Sequence, residues 1–231
     1  MFQKVIFCFF FLFIPLNRAA VNTVANSPFT SSDPVSELAV GEQLFEEMEL
    51  GGTVNFIAFR QAVAGYNRIK EKNKPILTLI DFSKPSTEKR FFVFDMEKKK
   101  LLYSSVVAHG RNSGENYATS FSNQYGSYKS SLGFYLTENT YQGGNGYSLI
   151  LNGLEKGIND KAKARSIVVH GAPYANPSVA ASGRLGRSLG CPALPTKLAR
   201  PIINTIKDGS VMFIYANNPH YLAQSNILHK N

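Results

Sequence analysis

Few side chains in this 231-residue sequence can do nucleophilic or acid–base work near neutral pH. There are two cysteines, Cys8 and Cys191, and four histidines, His109, His170, His220 and His229. Cys191 closes the run Gly186-Arg187-Ser188-Leu189-Gly190-Cys191 and is followed by Pro192. His170 stands at the end of the β-like run Ile167–Val169 and is followed by Gly171. A free thiol is mostly protonated at neutral pH, and the thiolate is the nucleophile. A neighbouring imidazole can take that proton and hold the thiolate as an ion pair. Gly190 allows close approach of the backbone, so the amides of Leu189, Gly190 and Cys191 can converge on a developing oxyanion. Pro192 has no N–H and fixes the local chain direction. Taken singly, a cysteine is a small buried hydrophobe and a histidine at a strand end is a hydrogen-bonded structural residue. Together they point to a cysteine-nucleophile acyl transferase or peptidase. The histidines show no ligand spacing and two cysteines build no thiolate cluster, so neither a metal nor a cofactor is expected.

These residues need elements to hold them. Lys4 is the only charge before the apolar run Val5–Ile14, and Pro15 follows it at once. That pattern describes a secretory signal peptide over residues 1–25 rather than a membrane span, with cleavage after Ala25 and Ala19 as the alternative site. Residues 26–35 form a polar lead-in. Two helices are expected within 36–74: one over Ser36–Leu50, stopped by Gly51-Gly52, and one capped by Thr53 or Asn55. The second carries Phe56, Phe59, Val63, Tyr66 and Ile69 at spacings of three and four and runs to about Lys72. From Pro75 the period changes. Strands are expected at Ile76–Phe82, Arg90–Asp95, Leu101–His109, Gly133–Glu138, Tyr147–Asn152, Ser166–His170 and Ser210–Tyr215. A short helix over Lys197–Ile206 follows the Cys191 loop, and Pro201 is expected to kink or shorten it. Residues 111–129, rich in Gly, Ser, Asn and Tyr, read as a long surface loop, and loops of that length are usually functional or mobile. A catalytic domain over 75–217 and a C-terminal tail over 218–231 complete the division.

Composition narrows the class. Apolar residues make up 44% of the chain and aromatic residues 12%, which excludes a disordered or collagen-like polypeptide. The formal charge is +9, and signal cleavage would leave +7, from 23 basic and 16 acidic residues. A basic exported protein suits an anionic envelope polymer or membrane surface, and no motif supports nucleic-acid binding. Export removes Cys8 and leaves Cys191 as a single thiol in an oxidising compartment, where an unpaired thiol needs a reason.

Ordered motifs extend from Phe56 to Tyr215: Asp81-Phe82-Ser83, Ala108-His109-Gly110-Arg111, Phe121-Ser122-Asn123, Ser130-Ser131-Leu132-Gly133-Phe134-Tyr135, Gly153-Leu154-Glu155, His170-Gly171-Ala172 and the Cys191 run. With these the sequence resembles the L,D-transpeptidase (YkuD-like) catalytic domain, and within it the divergent murein branch. The resemblance implies a β-rich α+β fold, a β-sandwich core with two N-terminal helices and a short helix after the cysteine loop. It implies that Cys191 forms a thioester with a peptidoglycan stem peptide, with His170 as general base oriented by the backbone around Gly171. Ser188 matches the Ser/Thr beside the catalytic turn, and the amides of Leu189 to Cys191 match the oxyanion hole. Leu189 replaces the family's second histidine, and the arginine usual after the cysteine is missing. Arg187 is the substitute candidate for a substrate carboxylate, or else a structural bridge within its loop. His109, Asn123 and Tyr141 are candidate cleft-lining residues. The implied setting is the periplasm or cell envelope, with peptidoglycan stem peptides as partners, and carbapenem-type β-lactams are expected to acylate the thiol. Transfer to an amine would give a cross-link and transfer to water an L,D-carboxypeptidase. A non-catalytic peptidoglycan-binding protein on the same fold is the remaining alternative.

Overall fold

The structure, a computed structural model, describes residues 34–229, with side chains from residue 39 onward. The expected signal peptide and all but the end of the lead-in lie outside the described residues. Helix α1 spans Pro34–Glu47 and α2 spans Phe56–Arg68. Asn55 caps α2, its side-chain oxygen accepting from the amides of Ile57 and Ala58 at 3.0 and 3.3 Å. The helix ends before Lys72, because Lys70–Lys74 offers no apolar position to bury and Pro75 disfavours helical backbone at the residue before it. The two helices pack through Phe45, whose ring meets Phe56 and Phe59 edge-on at 5.1 and 5.7 Å.

The strands are β1 (Ile76–Asp81), β2 (Phe91–Asp95), β3 (Lys100–Ser105), β4 (Gly133–Gly143), β5 (Gly146–Gly153), β6 (Val168–Gly171), β7 (Ala193–Leu194) and β8 (Val211–Tyr215). They form one mixed sheet in the order β3-β2-β1-β8-β4-β5-β6-β7. The β1–β8 and β6–β7 pairs are parallel and the others antiparallel. After β3 the chain crosses to the opposite edge, where Ala108 bridges Ala193 and Gly110 bridges Ser188. The sheet is thereby a nearly closed barrel, and the fold class is β-rich α+β. Strands β1, β2 and β8 are buried along their whole length, and Phe134 of β4 stacks on Phe213 of β8 at 4.1 Å. Helix α3 (Pro177–Ala180) lies between β6 and the Cys191 turn in sequence. Helix α4 (Thr196–Ile206) buries Ala199, Ile202, Ile203 and Ile206 and contains Pro201 without being ended by it.

Three sequence expectations need correction. The strand expected over Leu101–His109 stops at Ser105, because the residues that follow leave β2 and serve the barrel closure instead. β4 runs on to Gly143 as one arm of a hairpin with β5. The C-terminal segment is no free tail. Helix α5 (Pro219–Gln224) buries Tyr221 in the main core, and Arg68 Nη1 donates to the carbonyl of Ile227 at 2.7 Å.

Candidate active site

His170 lies on β6, and Cys191 lies in the turn that leads into β7. Alternation along a strand decides which way each faces. A β-carbon on Gly171 would lie 2.9 Å from that of Ala199 on α4, so this position faces α4 and must stay small. Tyr147 of β5 also faces α4, donating to Asn204 at 2.7 Å with Arg200 4.4 Å from its ring centre. His170 therefore faces the other way, in one row with its partner Ser148 and the next strand's Tyr141. His170 pairs with Ala193, and continuing that register sets Cys191 beside Val168, on the face shared with His170. The backbone amide of Val168 reaches the sulfur, in agreement with that placement.

The imidazole is fixed by the main chain. His170 Nδ1 lies 3.1 Å from the carbonyl oxygen of Gly171. A carbonyl only accepts, so Nδ1 carries the proton and Nε2 keeps its lone pair. Burial lowers the pKa of His170, partly opposed by that hydrogen bond. Burial raises the pKa of the Cys191 thiol, opposed by the Val168 amide and the charge of Arg165. Both shifts work against the expected thiolate–imidazolium ion pair and favour the neutral groups. The thiol, on a residue 7% exposed, donates to the carbonyl of Ser166 at 3.6 Å, and no hydrogen bond joins it to the imidazole among the described residues.

The turn before Cys191 is held by two serines. Ser188 Oγ accepts from the Gly190 amide at 3.1 Å and donates to the Cys191 carbonyl at 2.6 Å. Ser130 Oγ donates to the Gly190 carbonyl at 2.9 Å. Gly190 has φ of +127°, a conformation that L side chains rarely adopt. Of the three amides expected to converge, that of Gly190 is engaged by Ser188 and that of Cys191 turns toward its own sulfur, whereas that of Leu189 has no protein acceptor among the described residues. The side chain of Leu189 is exposed.

The remaining candidates lie as follows. Arg187 Nη1 donates to Glu115 Oε1 at 2.6 Å and to the carbonyls of Arg111 and Gly114, each at 3.1 Å, which is the bridging arrangement. Glu115 also pairs with Arg184 at 2.9 Å. His109 does not line a cleft. It is 1% exposed, its Nδ1 takes a hydrogen from Arg90 at 2.8 Å, and its Nε2 donates to the Gly114 carbonyl at 3.2 Å. Burial and the charge of Arg90 push its pKa down to about 4. Asn123 joins its loop to the turn at Asp160 and Lys161, at 2.7 and 3.1 Å, and lines a surface depression with Lys156 and Gly157. Tyr141 is exposed on the His170 face.

Two neighbours of Cys191 carried no sequence signal. Arg165 donates to the carbonyls of Ser122 and Lys129, each at 2.7 Å, and to Ser131 Oγ at 2.6 Å. Tyr174 packs under Gly186 and accepts its amide at 2.8 Å, and its hydroxyl is pushed up to about 12 by burial and then by Cys191. Neither stands in a motif that separates it from other arginines and tyrosines of the chain.

The family model for the L,D-transpeptidase catalytic domain matches residues 51–215. No curated protein matches the sequence. Solved structures that match include an L,D-transpeptidase from Mycobacterium smegmatis, 13% identical with a TM-score of 0.38, covering 62% of this chain and 59% of that one. L,D-transpeptidase 3 from Mycobacterium tuberculosis is 14% identical with a TM-score of 0.39, covering 61% of each chain. An L,D-transpeptidase from Stackebrandtia nassauensis is 14% identical with a TM-score of 0.37, covering 79% of each. The chain thus spans about three fifths of the mycobacterial chains, and the family match, not these distant likenesses, carries weight.

Proposed function

The chain belongs to the L,D-transpeptidase catalytic domain family, and on that premise we propose that it is an exported cysteine acyltransferase acting on peptidoglycan stem peptides. The observation that carries this reading is the shared face of β6 and β7. There His170 has Nδ1 committed to the Gly171 carbonyl and Nε2 open, and continuing the β6–β7 register puts Cys191 on the same face, in a turn whose Leu189 amide has no acceptor among the described residues. As Cys191 attacks the carbonyl carbon at an L–D bond of a donor stem peptide, its proton passes to His170 Nε2. The S–C bond forms, and the oxyanion takes hydrogen bonds from the Leu189 and Cys191 amides. The C–N bond to the terminal D-residue then breaks, and the leaving amine takes the proton from the imidazolium. A second amine attacks the thioester and gives its proton to Nε2; the S–C bond breaks, and the departing sulfur takes that proton back, which leaves a cross-link and restores the thiol and the neutral imidazole. Water in place of that amine gives an L,D-carboxypeptidase. Burial favours the neutral form of both groups, and on this reading proton transfer accompanies attack rather than preceding it. Leu189 acts through its amide, so the loss of an imidazole at that position does not remove the donor. Among the described residues no helix is long and apolar enough to cross a membrane. Incubation with a disaccharide-tetrapeptide should give a thioester adduct on Cys191 by intact mass spectrometry, then dimeric product. Product formation unchanged in Cys191→Ala overturns the cysteine assignment, and absence of both adduct and product in the wild type overturns the enzyme reading and leaves the binding-protein alternative.

A further inference from the structure

We propose that Ser130 is a positioning residue that aims the Cys191 amide at the reacting carbonyl. The inference rests on the functional reading above and goes beyond it by naming what holds the oxyanion donor. Ser130 belongs to the end of the long loop before β4, is 1% exposed, and lies sixty residues from the cysteine turn. Its hydroxyl sits where three chain segments cross. It accepts the Gly110 amide at 3.0 Å, which directs its own hydrogen elsewhere, and it donates to the Gly190 carbonyl at 2.9 Å. The Ser130 amide is in turn anchored on Ser113 Oγ at 2.9 Å, and Arg165 holds the neighbouring carbonyl of Lys129 at 2.7 Å.

The Gly190 carbonyl and the Cys191 N–H belong to one trans peptide, so they point in opposite directions. Anchoring the carbonyl therefore sets the direction of the N–H. A hydrogen bond to the carbonyl also polarises the N–H of the same unit, as in any hydrogen-bonded chain. Ser188 cannot do this: its hydroxyl holds the Gly190 amide and the Cys191 carbonyl, which belong to the two flanking peptides. Without Ser130, the peptide carrying the donor has no side-chain hydrogen bond to its own carbonyl.

The test compares two reactions at one sulfur. Acylation by a carbapenem builds a negative oxygen on the attacked carbon, whereas alkylation by iodoacetamide displaces iodide from a saturated carbon and builds none. Removing a direct oxyanion donor costs about a hundred- to a thousand-fold, and misdirecting one should cost about ten- to a hundred-fold. Ser130→Ala is expected to slow carbapenem acylation by that factor, with Cys191 alkylation within about two-fold of wild type. Equal losses in both reactions, the mark of general disruption, overturn the proposal, as does no loss in either. Should Ser130→Ala not fold, Ser130→Cys supplies a weaker donor of similar size. Its acylation is then expected to fall while Cys191 alkylation, mapped by peptide mass spectrometry, holds; equal or absent losses again overturn it. If wild type forms no Cys191 adduct, the functional reading fails. If wild type acylates and the Ser130 variants match it, only this proposal fails.

Discussion

Burial acts on His170 and Cys191 in opposite directions, and the reaction's pH dependence follows. In the proposed reaction His170 is the base, so its neutral form is required, and burial delays its protonation on acidification. Carbapenem acylation should fall with acid about a midpoint below the ordinary histidine value of about 6.5. Iodoacetamide alkylation should keep rising with pH beyond the ordinary thiol value of about 8.5, since burial holds the sulfur protonated. A plateau in alkylation at neutral pH would reveal an ion pair and contradict the neutral resting state. His170→Ala should lower acylation by about a hundred- to ten-thousand-fold, the usual contribution of a positioned base, and abolish its acid limb. His109 carries a separate pH dependence, of stability. Its pKa is about 4 in the folded protein and about 6.5 unfolded, so its contribution is present above 6.5 and is lost as pH falls towards 4. The loss amounts to about 3 kcal/mol. In His109→Gln, urea denaturation should show a shallower decline between those pH values, and an unchanged decline would mean the acid sensitivity lies elsewhere.

At the scale of elements, helix α5 is held by a buried carboxylate. Glu155 accepts from the Phe134 amide at 2.7 Å, from the Tyr221 hydroxyl at 3.2 Å and from the Ser225 hydroxyl, and burial raises its pKa against these three donors. A chain ending at Asn217 would lose two of the donors and uncover the Phe213 face against which Tyr221 packs at 6.1 Å. Lost burial and a poorly satisfied carboxylate together should cost about 4 kcal/mol, or about 8–16 °C in Tm; an unchanged Tm would show that α5 rests on the core without supporting it. Nothing of this anchorage was legible in the sequence: six residues opened by Asn218-Pro219 carry too little periodicity to reveal a docked helix. Helix α2, by contrast, was readable from its spacing and the Asn55 cap, and the apolar β1, β2 and β8 from their β-branched and aromatic runs. The shared face of His170 and Cys191 was half legible. The run before His170 announced a strand, but β7 is two residues long and exists only because β6 and Ala108 flank it. Arg165 was hidden for the same reason, since its partners lie tens of residues away and leave no local pattern; Ser130 stood in a recognised motif, but its contact with Gly190, sixty residues on, was not legible there.

For the molecule as a whole, closure of the barrel is what brings the cysteine turn under control. The segment Val106–Gly110 leaves one edge of the sheet and arrives at the other, where the Ala108 amide donates to Ala193 at 2.9 Å and the Ser188 amide to the His109 carbonyl at 2.9 Å. Its inward side is gripped by Arg90, fully buried beside β2, whose guanidinium lies 4.9 Å from the Phe82 ring centre. Nε and Nη2 of Arg90 donate to the Val107 carbonyl at 3.1 and 2.8 Å, Nη2 reaches His109, and Nη1 donates to Lys84 at 2.9 Å. One planar fork thus ties the wall of the barrel to the strand that braces Ser188 and, through Gly110, Ser130. A lysine cannot reproduce the fork, because its ammonium offers one point of charge on a flexible stem. Arg90→Lys should therefore leave the Val107 carbonyl or His109 without its donor and cost about 2 kcal/mol. The loss should not be uniform. Amide exchange at Ala108, Arg111 and Ser188 should quicken through local opening of the closure, while Phe213 in the middle of β8 keeps its protection. Carbapenem acylation should fall in the same variant, because the opened segment carries the Gly110 amide that orients Ser130. Exchange that quickens equally in β8 and at the closure would mean that Arg90 supports the barrel generally and that the seam has no separate hold on the cysteine turn.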